Sequence, residues 1–266
     1  MDAPQAAFLN AAASKPASFL ARGVRMVDID LHAPGKPGFW DLLDEVCSAL
    51  RLCTRVTHLS LGRGLDPIAA QKILASISAM CLKQMGAFLQ QLTCIPGPGP
   101  AAPGLDSHSS VFCHLTLLEV GDHIALEEHP QILAFICNLP LLTHLGLNST
   151  LSGGTLRTLL DSCHRLQLLV FTLSSTMREE DVDTSIEWAA ALPFRDPRIV
   201  VSVWRDWSEC VDWDPREPTY WKAAELFVEQ KKLGRISRKL GDVCLRKLTR
   251  LQKTAAIFMI RALKTP

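Results

Sequence analysis

Leu142-Thr-His-Leu145-Gly-Leu147 and, 24 residues on, Leu166-Gln-Leu-Leu169-Val-Phe171 decide how this chain is read. Both place apolar residues at the first, fourth and sixth positions, the pattern of a short strand entered through a turn. Between them, Ser152 to Cys163 (SGGTLRTLLDSC) has helical spacing: Leu156, Leu159 and Leu160 share one face, and Ser152 stands where an N-cap belongs. The unit is therefore strand, turn, helix, turn, strand. A unit this short cannot cover its own apolar face and must stack on a neighbour.

The same template recurs at Val56-Thr-His-Leu59-Ser-Leu61 and Leu115-Thr-Leu-Leu118-Glu-Val120. Val24 to Ile29 and Leu89 to Cys94 fit it less fully, and Val200 to Val203 gives only the strand. Starts at 24, 56, 89, 115, 142, 166 and about 199 are separated by 32, 33, 26, 27, 24 and about 33 residues. Leucine-rich repeats run roughly 20–29 residues, so the middle steps fit and the outer ones require insertions. The expected fold is α/β: an irregular leucine-rich-repeat-like solenoid with parallel strands, helical caps and a C-terminal basic amphipathic helix. An ordinary α/β domain with parallel strands is the rival.

Four segments follow from this. Residues 1–22 read as an N-terminal helical cap broken at Pro16, and 23–205 as the solenoid, with residues 95–104 (IPGPGPAAPG) as a surface loop. Residues 206–234 form a Trp-rich cap and 235–266 the basic helix. Within the solenoid, Trp40 to Leu52 is an amphipathic helix. Asp66-Pro67 starts a helix that runs to about Met80, with Asp66 as N-cap and Pro at N1. His129-Pro130 opens another, a charged run from Arg178 to Asp183 precedes a helix to about Leu192, and Glu217 to Leu233 forms one stopped by Gly234. The tryptophans at 204, 207, 213 and 221 read as a plug for the open C-terminal end of the stack.

At 266 residues the chain can bury a substantial core, and 48% hydrophobic with 21% charged residues is a globular balance. No basic, apolar leader opens it and no window of 18 uncharged apolar residues occurs, so an intracellular location is expected. Nine scattered cysteines without a C-x-x-C pair read as small buried hydrophobes. Asn148-Ser-Thr150 matches a glycosylation sequon that has no use inside the cell.

The net charge of +1 conceals an asymmetry. Of 28 basic and 27 acidic residues, nine basic and one acidic fall in 235–266, a net of +8; the rest of the chain carries −7. On a helical wheel Leu240, Cys244, Leu248, Leu251, Ala255, Phe258 and Ala262 share one side, with Lys239, Arg246, Arg250 and Lys253 opposite; Lys247 is a further basic residue of this segment. Such a helix suits a membrane surface, RNA, a calmodulin-type receptor, or packing on the acidic body.

In a repeat strand the template residues point inward and the intervening ones outward. The outward set is Asp28 and Asp30; His58, Ser60 and Gly62; Leu117, Glu119 and Gly121; His144, Gly146 and Asn148; Leu168, Val170 and Thr172; then Ser202 and Trp204. Stacked at about 4.8 Å per strand, they form a ladder able to read an extended protein partner. No Walker loop, dinucleotide fingerprint, G-x-S-x-G or H-E-x-x-H occurs, so no catalytic residues, cofactor or small-molecule substrate are expected. The Cys113-His114 and Cys163-His164 pairs lack the four close ligands that zinc needs, so no metal is expected either.

Three features together resemble the F-box/leucine-rich-repeat-like proteins of mushroom-forming fungi. They are the V/L-T-H-L-x-L strands at Val56 to Leu61 and Leu142 to Leu147, the Asp196-Pro-Arg-Ile-Val-Val201 run, and the stretch Trp213 to Ile236. In the last, Tyr220, Trp221, Ala224, Phe227, Lys231, Gly234 and Ile236 carry the likeness. The resemblance covers roughly residues 50–236 and implies the substrate-recognition part of an SCF-type ubiquitin ligase. The Leu-Pro-x-Glu/Asp opening of an F-box is absent, so contact with the Skp adaptor is implied only if an F-box is supplied elsewhere. The alternative is a peripheral membrane- or RNA-associated protein acting through Arg246, Lys247, Arg250 and Lys253.

Overall fold

The template stretches enter their strands through a repeated backbone device. The Arg25 carbonyl accepts from the amides of both Thr57 and His58; Thr57 does the same for Lys83 and Gln84, and Lys83 for Thr116 and Leu117. Further on, the Thr143 carbonyl accepts from Gln167 and Leu168. One residue of each template thus ties its strand to the next, and threonine strengthens the tie through its hydroxyl. Thr57 Oγ1 donates to Arg25 O at 3.3 Å and Thr116 Oγ1 to Lys83 O at 3.0 Å.

A computed structural model describes residues 3–31, 35, 37–62, 64–93, 105–123, 125–174, 187–188, 191–192, 196–204, 219–234 and 243–244. The fold is α/β with parallel strands, and the chain divides into two compact units. The first comprises Met1–Gly121 with Pro130–Leu142, the second Asp122–His129 with Thr143–Pro266.

The first unit contains α1 (Ala3–Ser14), α2 (Ala17–Gly23), β1 (Met26–Ile29), α3 (Phe39–Leu52), β2 (His58–Leu61), α4 (Pro67–Ser76), β3 (Gln84–Ala87), α5 (Leu89–Thr93), β4 (Leu117–Val120) and α6 (Pro130–Cys137). Strands β1 to β4 pair in parallel and in chain order. The register aligns Val27, Leu59, Met85 and Leu118, all buried, along one inward row. Helices α2 to α6 pack each on the next, with α1 against α3. Helix α3 buries Leu43, Val46, Cys47, Ala49 and Leu50; each fully buried leucine or valine contributes roughly 1.5–3 kcal/mol. Asp66 caps α4 as its sequence indicates, its carboxylate accepting from the Ile68 amide at 2.8 Å, although the regular helix stops at Ser76 and turns to reach Met80.

The second unit holds a 3-10 turn (Leu126–Glu128), β5 (His144–Leu147), α7 (Gly153–Ser162), β6 (Leu168–Ser174), β7 (Ile199–Trp204), α8 (Thr219–Lys232) and the two-residue β8 (Val243–Cys244). Strands β5 to β8 are again parallel and sequential. Ser152 caps α7 by accepting from the Thr155 amide at 3.2 Å. Its own amide donates to Glu127 Oε1 at 2.6 Å. Gly234 follows α8 with φ +68, the left-handed conformation that ends a helix most easily at glycine.

Two expectations are corrected. The third strand is not Leu89 to Cys94, where Leu89–Thr93 is helix α5; it is β3, carried by Leu82-Lys-Gln-Met85-Gly-Ala87. Apolar residues three apart suit a helix as well as this template, and local context decided for the helix. At Val243–Cys244 the expected basic helix gives way to a strand paired with Val201 and Ser202. The remainder of 235–266, including Arg246, Lys247, Arg250 and Lys253, lies outside the described residues, as do the whole Pro/Gly loop and most of the run from Arg178 to Leu192.

Candidate functional site

Alternation along each strand sets two faces: the template residues on one, the intervening residues on the other. On the second face, strand pairing in the first unit creates three rows. Met26, His58, Gln84 and Leu117 form one, and Asp28, Ser60, Gly86 and Glu119 the next. The third, just past the strand ends, runs through Asp30, Gly62, Phe88 and Gly121, held by the Gly62 amide on Ile29 O and the Gly121 amide on Ala87 O.

The glycines of this third row are required by their neighbours. A Cβ at Gly62 would lie 2.9 Å from the Asp30 carboxyl carbon, and one at Gly121 would lie 2.9 Å from Cζ of Phe88. Each glycine makes room for the side chain of the preceding strand to lie across it.

Asp28 and Asp30 are exposed, and His58, Ser60, Gln84, Gly86 and Phe88 are half-buried. Glu119 is expected on the same surface but is buried at 6% exposure, which takes it out of a partner's direct reach. His58 Nδ1 lies 2.9 Å from Thr57 Oγ1. Burial pushes the His58 imidazole below its ordinary value and the Lys83 ammonium adds to the effect; a hydrogen bond to the Arg25 backbone opposes both. With its pKa lowered, the ring is mainly neutral at pH 7. Gln84, Gly86 and Phe88 were missed when the sequence placed the third strand too late.

In the second unit the equivalent face is not open. His144 repeats the Thr-His geometry, its Nδ1 2.8 Å from Thr143 Oγ1, but its Nε2 meets Glu225 Oε1 of α8 at 2.9 Å. Its ring also meets the edge of Trp221, with centroids 5.7 Å apart. Helix α8 continues across β6 and β7, burying Trp221, Ala224, Phe227 and Val228. Beneath it Leu168, Val170, Thr172 and Val200 are all at most 1% exposed. Thr172 Oγ1 donates to Leu147 O at 3.3 Å, and Asn148, 4% exposed, places its amide nitrogen 3.1 Å from His123 Nε2.

Asn148 and Thr172 are thus corrected from open ladder positions to buried ones, and His144 is half-buried with Glu225 and Trp221 against its ring. Over Leu168 to Phe171 and Ile199 to Val201, β6 and β7 are apolar on both faces, as parallel strands are when layers cover them on each side. Ser202 pairs with Thr172 and Trp204 with Ser174, which places both by register; their side chains lie outside the described residues. Trp221 lies against β5 rather than at an open end of the ladder, correcting the capping role expected of it, while Trp207 and Trp213 fall outside the described residues.

The far end of α8 is fixed by charge. Lys231 is 5% exposed, with Nζ 3.5 Å from the carbonyls of Asp196 and Ile199. Burial alone would raise the Asp196 carboxyl; hydrogen bonds from the Arg198 side chain and backbone, with the charges of Arg198 and Lys231, outweigh it and hold the group below its usual range.

Among the described residues no group of three or more His, Cys, Asp or Glu side chains is arranged to hold a metal, and no helix is long and apolar enough to cross a membrane. No protein-family model matches this chain, and no curated protein matches it.

Proposed function

We propose that this protein is a non-catalytic protein-interaction module of the leucine-rich-repeat-like solenoid type, whose recognition surface is the polar strand face of the first unit. Asp28, Asp30, His58 and Ser60 are its centre, joined by Gln84 from β3. By its resemblance to the F-box/leucine-rich-repeat-like proteins, its role is to present a protein substrate to an SCF-type ubiquitin ligase, with any Skp contact supplied from elsewhere. The observation that carries this reading is the contrast between the two strand faces. At β6 and β7 the intervening Leu168, Val170 and Val200 are apolar and buried under α8; at β1 and β2 Asp28, His58 and Ser60 remain in contact with solvent. A rigid ladder of small and polar side chains fixes donors and acceptors at strand spacing without a large entropic cost on binding.

Affinity capture with three forms of the chain tests this: unaltered, His58→Glu/Ser60→Arg, and lacking residues 235–266. The reading expects Skp and cullin subunits to co-purify with the chain, together with a protein partner that the double variant loses and the deleted form keeps. Retention by the double variant contradicts it. Loss on deletion alone, with recovery of RNA or vesicles by the intact chain, supports the membrane- or RNA-associated reading instead.

A further inference from the structure

The open strand face of the first unit carries unlike charge at its two ends. Its entry row, Arg25, Thr57, Lys83 and Thr116, is aligned by the carbonyl device that ties each strand to the next. Arg25 and Lys83 are exposed there, and the exposed Arg55 joins them, its carbonyl accepting from Arg25 Nη1 at 3.3 Å. Lys83 lies close enough to His58 for its charge to help lower the imidazole's pKa, which puts the ammonium beside the open face. Among the described residues no carboxylate forms an ion pair with any of these three bases. Asp28, exposed and of opposite sign, stands on β1 about 10 Å beyond Arg25, at about 3.3 Å per residue. The half-buried His58, Ser60 and Gln84 occupy the ground between. Because the strands are parallel they all begin at one edge, so the bases of successive repeats collect on a single rim.

We propose that this face takes an extended protein segment lying along the strands, with carboxylates on the rim of Arg25, Arg55 and Lys83 and a basic side chain at Asp28. The inference rests on this face being the recognition surface and adds the charge pattern and placement of what it recognises. A peptide can set acids on the rim and a base about 10 Å further on, the spacing of three extended residues. A nucleic acid fits less well. Its evenly spread phosphates would also meet Asp28, and neither the entry row nor the next row (Met26, His58, Gln84 and Leu117) carries a Phe, Tyr or Trp on which bases could stack. Exposed charges of this kind steer a partner and fix its register.

The probe is a phage-displayed library of random linear peptides, selected on the unaltered full chain. Enriched peptides are expected to carry clustered acids followed by a base. A fluorescein-labelled synthetic copy is expected to bind the Arg25→Glu/Arg55→Glu/Lys83→Glu chain about tenfold more weakly, and the Asp28→Lys chain more weakly too. Its affinity for the unaltered chain should fall as ionic strength rises from about 0.01 M to about 0.15 M, where screening shortens from about 30 Å to about 8 Å. Peptides without this charge pattern that His58→Glu/Ser60→Arg nevertheless abolishes overturn the inference and leave the recognition surface standing. Peptides that survive both the rim and the His58/Ser60 substitutions overturn both, and no enrichment on the unaltered chain overturns the inference. Should circular dichroism show the triple variant unfolded, Lys83→Glu alone decides: weaker binding is expected, and unchanged affinity overturns the inference.

Discussion

Val170→Lys and Ser60→Lys place the same side chain at the same row of the strand ladder in the two units, and their costs should differ widely. Val170 is 0% exposed beneath α8, whereas Ser60 is half-buried with the exposed Asp28 opposite it on β1. At Val170 the change forfeits the burial of a valine, about 1.5–3 kcal/mol. It also puts an ammonium without a partner into an apolar layer, for about 3–5 kcal/mol more unless α8 lifts away. If α8 lifts, the burial of Trp221 and Phe227 is lost instead, again several kcal/mol. Either route exceeds about 4 kcal/mol, and at about 2–4 °C per kcal/mol for a protein of this size the melting temperature should fall by about 8 °C or more. Ser60→Lys remains within about 0.5 kcal/mol, the ordinary range for a surface substitution. Parallel thermal melts by circular dichroism, with tryptophan emission reporting the exposure of Trp221, make the comparison. Equal shifts from the two substitutions would refute the assignment of one face as covered and the other as open.

Ser152→Ala removes the acceptor of the Thr155 amide and should cost about 1 kcal/mol in a urea titration, while Ser152→Gly costs a few tenths. Asp196 carries a folded-state pKa below its unfolded value, so its contribution is present above the unfolded pKa and is lost as pH falls through the folded one. Asp196→Asn should therefore flatten the loss of stability that denaturant melts record as the solution is acidified below about pH 4. His58 has its pKa lowered, so its NMR titration midpoint should lie below 6.5, and moving Lys83 to Met should bring it partly back up.

The parallel strands were legible because five of the template stretches carry leucine, valine or isoleucine at the inward positions. The third was hidden by composition: Met85 and Ala87 fill the same inward places with weaker signals, while Leu89 and Leu92 supplied a false one three residues apart. Capping chemistry was legible at Asp66 and Ser152 because those side chains bond within their own first turn. The candidate site was legible only where its residues are polar. Asp28, Asp30, His58 and Ser60 keep access to solvent, but Thr172 does not, because its access depends on α8, a helix some fifty to sixty residues away in sequence, and Asn148 is buried with its amide on His123. One signal was present and outweighed by the template: Leu166 to Phe171 is apolar at five of its six positions, and an unbroken apolar run marks a strand covered on both faces.

A nuclear Overhauser experiment on selectively labelled protein tests the covered face most directly, by seeking cross-peaks between the His144 ring protons and the indole protons of Trp221. With centroids 5.7 Å apart in an edge-to-face arrangement, the two rings bring protons within range and strong cross-peaks are expected. Their absence in the folded protein, with His144 open to solvent, would contradict the division into a covered and an open strand face.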